Sequence, residues 1–369
     1  MFGYYTQHKN CEFSKILSNA FKNDLKFFTP FPSDNFENLD KVEVLQSTPQ
    51  KSLEISHNFV QLPLNTIQEN ETCNQTFELS KKLLKHQIKL LFIDGNKHVA
   101  TIAKSLNIPY AYIKNLNTDS ALINDFTYEN AVFLVAFYPK SFEPSSTPRW
   151  IKNKTLYLDF FSKYAINPHH SHQNHKHSSI ITIINNFSSI KNTNTCTEKI
   201  IDLFGDCYLQ SIGNEIIKNN IFDIHNHKLN GIDNDISSYI IESRHIITQA
   251  ELTIISQLAC LQAPIILKKN DHPLSDENIL SNTLVKKGLA HFLNEFSNEK
   301  EENFHPNWKP YVFNSAPEVL YNVVTRFQND FSTLIHLIRT HHELKKIDHH
   351  LKTSNNHFQI KKSNNAVSF

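Results

Sequence analysis

Three stretches of the 369-residue chain carry side chains able to hold a polar ligand or move a proton. The first is the turn Thr6-Gln-His-Lys-Asn-Cys-Glu-Phe13, directly after the apolar run Phe2–Thr6. Imidazole titrates near neutral pH, so His8 is a candidate general base. A helix starting in that turn offers free N–H groups and the positive end of its dipole to an anion. The alternative is an ordinary polar loop. The second stretch is Asp94-Gly-Asn96, at the tip of another apolar run, where Asp94 is expected to cap the helix that follows. The third is the richest: Ile246–Leu267, then Asp271–Asn278, then Leu284–Ala290. It reads as strand, turn, helix, strand, polar loop, helix and strand. The turn and the polar loop project on one side of a sheet, so hydrogen-bonding groups from both can meet one ligand. A histidine cluster, His169, His170, His172, His175 and His177, has good ligands for zinc, copper or nickel. Its aperiodic, proline-bearing setting offers no fixed geometry, so a solvated linker without a metal site is expected.

The surrounding pattern says what must position these groups. Phe2–Thr6, Leu25–Phe28, Val42–Leu45, Lys89–Ile93, Tyr110–Ile113 and Ala131–Phe137 are short apolar runs without alternation. Helical stretches at Cys11–Phe21, Phe77–Gln87 and His98–Leu106 separate them. Strands that are apolar on both faces belong to a parallel sheet covered by helices. After the polar stretch 165–179 the rhythm restarts. Strands are expected at Ile180–Ile184, Cys207–Gln210, His245–Thr248 and Pro264–Leu267. Helices are expected at Cys196–Phe204, Ile236–Glu242, Glu251–Leu261 and Asp276–Lys287, the last stopped by Gly288. Ala316–Leu344 is one long amphipathic helical pattern. It is expected to pack back across the front domain, with a membrane surface as the alternative seat. The expected architecture is α/β: two Rossmann-like, doubly wound parallel sheets facing a cleft. The expected divisions are 1–164, a linker at 165–179, 180–315, a C-terminal helix over 316–348 and a flexible tail at 349–369. Ligands in such folds sit at the carboxyl ends of the strands.

Composition narrows the function further. Lysine plus arginine total 37 against 36 aspartates and glutamates, a net charge of +1. No strong field for nucleic acid is expected. Five scattered cysteines without a CxxC pair read as reduced thiols. With no apolar run near the roughly 20 residues of a membrane span, the cytoplasm is the expected compartment. There are only 6 glycines, where about 26 would be average. Loops that need bare backbone to approach phosphate are therefore scarce.

The layout resembles the glycosyltransferase-B (GT-B) superfamily, in the branch related to family 28. The nearest likeness is to bacterial glycosyltransferases opening on Gly-Tyr-Tyr-x-x-His, matched here by Gly3-Tyr-Tyr-Thr-Gln-His8. Phe92–Pro109, Phe137-Tyr-Pro139, Pro148-Arg-Trp150 and Lys154–Tyr164 resemble the rest of the front domain, and 246–290 resembles the donor unit. The likeness spans roughly residues 1–290. It implies a glycosyltransferase of hexosyltransferase type, taking a nucleotide sugar, UDP-linked by preference. The acceptor, held by the front half, is a glycan, lipid or small molecule. No metal and no cofactor are implied, because helix N-termini would stabilise the departing diphosphate. His8 becomes the catalytic base, with Gln249, Glu251, Thr253, Gln257, Asp271, Asp276 and Asn278 around the donor.

The departures from the pattern are specific. Where the family's first loop reads Gly-x-Gly-His, this chain has Asn10-Cys-Glu-Phe13. The donor turn His-Ala-Gly is Gln249-Ala-Glu251, and the ribose-binding acid is Gln257. A carboxylate about 4 Å from a phosphate costs on the order of 4 kcal/mol at an effective dielectric near 20. Asp276 and Glu277 stand where Glu-Gln is usual, adding further charge. The second function consistent with these changes is a GT-B-shaped binding or scaffold protein that has lost catalysis. An epimerase on the same fold is a third.

Overall fold

A computed structural model describes residues 1–6, 12–30, 42–45, 65–116, 126–163, 180–185, 199–200, 202–204, 207–213, 225–228, 237–269, 276–297 and 304–353. Two parallel sheets form, as the non-alternating runs require. The front sheet takes β1 (Phe2–Thr6), β2 (Leu25–Thr29), β3 (Val42–Val44), β4 (Leu90–Asp94), β5 (Tyr110–Ile113), β6 (Phe133–Ala136) and β7 (Thr155–Tyr157) in the order 3-2-1-4-5-6-7. The rear sheet takes β8 (Ile180–Asn185), β9 (Tyr208–Gly213), β10 (His225–Lys228), β11 (His245–Thr248), β12 (Ile265–Leu267) and β13 (Ala290–Phe292) in the order 10-9-8-11-12-13. Each order reverses at its first strand, between β1 and β4 and between β8 and β11. Those are the switch points where a crevice opens at the strands' carboxyl ends. The central strands are buried at every residue, β1 and β4 included, because helices cover both faces.

The front helices are α1 (Glu12–Phe21), α2 (Asn65–Lys85), α3 (Lys97–Ser105), α4 (Phe126–Asn130) and α5 (Arg149–Lys154). The rear ones are α6 (Ser237–Glu242), α7 (Leu252–Cys260) and α8 (Asp276–Lys286). Asp94 does not cap α3: Asn96 does, its Oδ1 accepting from the Val99 amide at 3.0 Å. That shift of two residues leaves the Asp94 carboxylate on the cleft wall, where it accepts from the Tyr4 and Thr6 hydroxyls. The long C-terminal pattern is two helices, α9 (Ala316–Arg326) and α10 (Phe331–His341). Asp330 interrupts it by capping Thr333, a local bond that periodicity does not register. Residues 344–353 are helical too, past 348 where the tail was expected to begin. The apolar faces of α9 and α10 pack with Phe2, Phe13, Leu17 and Phe92 in the front core, so the segment returns across the front domain and its apolar side is covered. The histidine-rich stretch 165–179 lies outside the described residues.

Two details follow from the glycine shortage. Gly3 is needed for contact: a Cβ there would meet Leu91 Cδ1 at 2.8 Å and Phe28 Cε2 at 3.1 Å. Gly3→Ala is expected to destabilise by about 1–3 kcal/mol through overpacking, read as a lowered melting temperature. Gly288 stops α8 with φ +67°, as its place in the sequence indicates. Elsewhere the same left-handed stop falls to Gln87, Asn107, Gln262 and His342, with φ between 49 and 60°. Gln87 is exposed after α2. Gln87→Gly is expected to stabilise by about 0.5–1 kcal/mol by removing the Cβ–carbonyl clash. A lowered melting temperature would refute that.

Candidate functional site

The cleft is built from strand ends. A cavity of about 370 Å³ lies between the two sheets, lined on the front side by Phe13, Asp94, Ile113, Lys114, Asn115, Leu116 and Phe137. On the rear side it meets Ala250, Glu251, Leu252, Thr253, Asp276, Glu277 and Leu280. Each group follows the carboxyl end of a strand: Asp94 closes β4, Lys114 follows β5, Phe137 follows β6, and Glu251 follows β11. The volume suits a small molecule. One apolar cluster, holding Leu116, Tyr138, Phe142 and Phe160 with Ile246, Ala250, Ile255 and Leu280, joins the two halves behind the cavity.

The front wall is aromatic. Phe13, from the first turn of α1, packs at 4.6 Å from the Phe137 ring and 5.1 Å from Phe161. Beside it Asp94 is 6% exposed and accepts long hydrogen bonds, 3.4 Å each, from the Tyr4 and Thr6 hydroxyls. Lys114 is buried and faces Glu143, Nζ to Oε1 at 2.8 Å. Burial pulls its ammonium below the usual lysine range, and the Glu143 carboxylate opposes that shift. Tyr138 and Tyr157 also donate to Glu143 Oε2, at 2.9 and 3.0 Å. Burial and that carboxylate drive both phenols upward, so they stay protonated donors.

On the rear wall Glu251 is the N-cap residue of α7. Its carboxylate makes no backbone cap bond and accepts from Thr253 Oγ1 at 2.6 Å. Asp276 and Glu277 open α8. The cavity is therefore lined by four carboxylates and one lysine among the described residues.

The site residues expected from the sequence separate into three groups. Glu251, Thr253 and Asp276 converge on the cavity. Gln249, Gln257 and Asn278 are buried and are not among its lining residues. His8 and Asp271 lie outside the described residues. Asp94 stands in one of the three candidate stretches, although the sequence favours a capping role for it; Lys114 and Glu143 are not among the site residues expected from the sequence. Asp94 and Lys114 do stand at strand tips legible in the sequence. Glu143 is 29 residues from Lys114, and no local pattern pairs them. No group of three or more histidine, cysteine, aspartate or glutamate side chains that could hold a metal occurs among the described residues.

No family model and no curated protein matches the sequence. Solved structures do match in shape. The MurG of Acinetobacter baumannii is similar over 88% of this chain and 99% of its own, at 11% identity and a TM-score of 0.55. The spinosyn forosaminyltransferase SpnP is similar over 89% of this chain and 95% of its own, at 9% identity and 0.55. The UDP-GlcNAc 2-epimerase of Neisseria meningitidis, in a structure holding UDP-GlcNAc, is similar over 88% and 99%, at 11% identity and 0.54. At such identities the likeness is one of fold. No helix among the described residues is long and apolar enough to cross a membrane. In both sheets and in the cleft between them, this chain has the GT-B fold, two Rossmann-like domains face to face.

Proposed function

We propose that the chain transfers a hexosyl group from a nucleotide sugar, UDP-linked by preference, to a hydroxyl acceptor, without an obligatory metal. The observation that carries this is the cavity at the switch points of both sheets, with Asp94 on one wall and the N-termini of α7 and α8 on the other. The neighbours of this shape include a forosaminyltransferase and an epimerase bound to UDP-GlcNAc. Residues 1–164 would hold the acceptor, a glycan, lipid or small molecule, and 180–315 the donor, in the cytoplasm. Glu251, Thr253, Asp271 and Asp276 are the proposed donor contacts. Gln249, Gln257 and Asn278 act from behind them by fixing the turn and helices.

In the transfer step the acceptor oxygen attacks the anomeric carbon, and the bond from that carbon to the diphosphate oxygen breaks. The acceptor proton passes to a base. Asp94 is the carboxylate the front wall supplies, and His8, two residues past Thr6 in the sequence, is the other proposed base. The nucleoside diphosphate leaves with the bonding pair.

A second reading has an observation of its own. Phe13 fills the place of the family's loop histidine, and the rear wall presents carboxylates to an entering diphosphate. A binding protein without turnover fits both. Thermal-shift titration with UDP, UDP-GlcNAc and related nucleotide sugars tests the first reading. Saturable stabilisation, about 2.7 kcal/mol at a hundred times Kd, is expected. Silence across the panel overturns it in favour of the second. Glu251→Gln should tighten UDP binding by roughly three- to tenfold, a solvent-discounted share of the charge repulsion. Unchanged or weaker binding would remove that argument.

A further inference from the structure

Among the described residues that line the cavity, the only cation is Lys114. It stands one residue past β5 at the carboxyl edge of the front sheet, and its side chain is 1% exposed. Its ammonium donates to Glu143 Oε1 and Oε2 at 2.8 and 3.0 Å, to the Tyr138 hydroxyl at 2.7 Å and to the Asn115 carbonyl at 3.1 Å. The other charged groups on the cavity wall are Asp94, Glu251, Asp276 and Glu277. An anion entering here therefore meets four carboxylates and one ammonium.

We propose that Lys114 is the counter-charge for the donor's diphosphate, a binding and specificity residue supplied by the acceptor-side domain. This rests on the glycosyl-transfer reading for the identity of the anion, but not for the charge argument. The ammonium is held in place before any ligand arrives, so meeting an anion costs it little reorganisation. Negative charge grows on the diphosphate as the glycosidic bond breaks. A fixed cation at the cleft therefore favours the transition state over the bound ground state. Glu143 positions the ammonium and also cancels part of its field. Replacing Glu143 and replacing Lys114 should therefore move anion binding in opposite directions, which a purely structural pair would not do.

The test is calorimetric titration at pH 6.5 and low salt, with inorganic pyrophosphate and with UDP as probes. The proteins are wild type, Glu143→Gln and the double variant Lys114→Met with Glu143→Gln. The double variant removes both charges, leaving no lone buried ion. Glu143→Gln is expected to bind pyrophosphate more tightly than wild type, and the double variant at least about tenfold more weakly than Glu143→Gln. Equal affinity in those two variants, or no pyrophosphate binding by wild type, overturns the assignment. If Glu143→Gln, which leaves the Lys114 ammonium buried without its carboxylate, does not fold, the double variant against wild type decides alone: weaker pyrophosphate binding supports the assignment, and unchanged or tighter binding overturns it. Pyrophosphate in the expected order with no UDP binding would sink the nucleotide-sugar reading and leave Lys114 assigned. UDP binding of one strength in all three proteins would do the reverse.

Discussion

Asp94→Asn is expected to lower kcat for sugar transfer by about 10²–10⁴-fold while leaving KM for both substrates nearly unchanged. The amide is isosteric, and its oxygen can still accept from the Tyr4 and Thr6 hydroxyls that now reach Asp94 Oδ2. Fold and cavity shape should persist, and the melting temperature should move little. What the amide cannot do is take the proton released when the acceptor hydroxyl attacks. The geometry favours this role. Asp94 ends β4, a strand buried at every residue, so the position of its carboxylate is set by the sheet and not by a loop. A kcat within threefold of wild type would remove Asp94 as the base. His8→Ala separates the two candidates: a large kcat loss there with a mild one at Asp94 would move the base to the first turn.

Why the strands were legible and part of the site was not has a physical explanation. A strand covered on both faces must be apolar throughout, and runs such as Leu90–Ile93 show that without any tertiary information. The strand order is not legible in the same way, because right-handed crossovers do not say at which strand the order reverses. Side-chain direction at a helix N-terminus is less readable. Gln249, Glu251, Thr253 and Gln257 share one turn and helix, yet only Glu251 and Thr253 line the cavity. Polarity marks all four equally, and the packing of α7 decides which face is buried. Asp94 shows the finer limit. Aspartate and asparagine two residues apart are both good caps, and the backbone selects Asn96, leaving Asp94 to the cleft. The break between α9 and α10 is of the same kind, because amphipathic phase continues across a cap. The Lys114–Glu143 contact joins the ends of different βα units and exists only once β5 and β6 lie side by side.

That contact is also where the largest stability effect is expected. Lys114→Met alone should cost about 3–5 kcal/mol, because it leaves the Glu143 carboxylate buried without its cation. Melting temperature would fall by roughly 4–6 °C for a chain of this size. Hydroxyls of Tyr138, Tyr157 and Thr147 still donate to the carboxylate, so the loss is not that of a bare ion in hydrocarbon. They do not neutralise it, and burial keeps water from doing so. Adding Glu143→Gln should restore at least half of the lost stability, since the amide oxygen can accept the two phenols that now reach Oε2 without a charge, while the Thr147 hydroxyl turns to accept from the amide NH2. The sign of that recovery distinguishes a charge effect from a packing effect. If Lys114 mattered through the volume of its stem alone, methionine would fill most of it and the second substitution would add a further loss. Single and double variants with additive losses would exclude a buried ion pair as the stabilising contact at this edge of the cleft. The sheet ends and the apolar seam behind them would then hold the two walls in place.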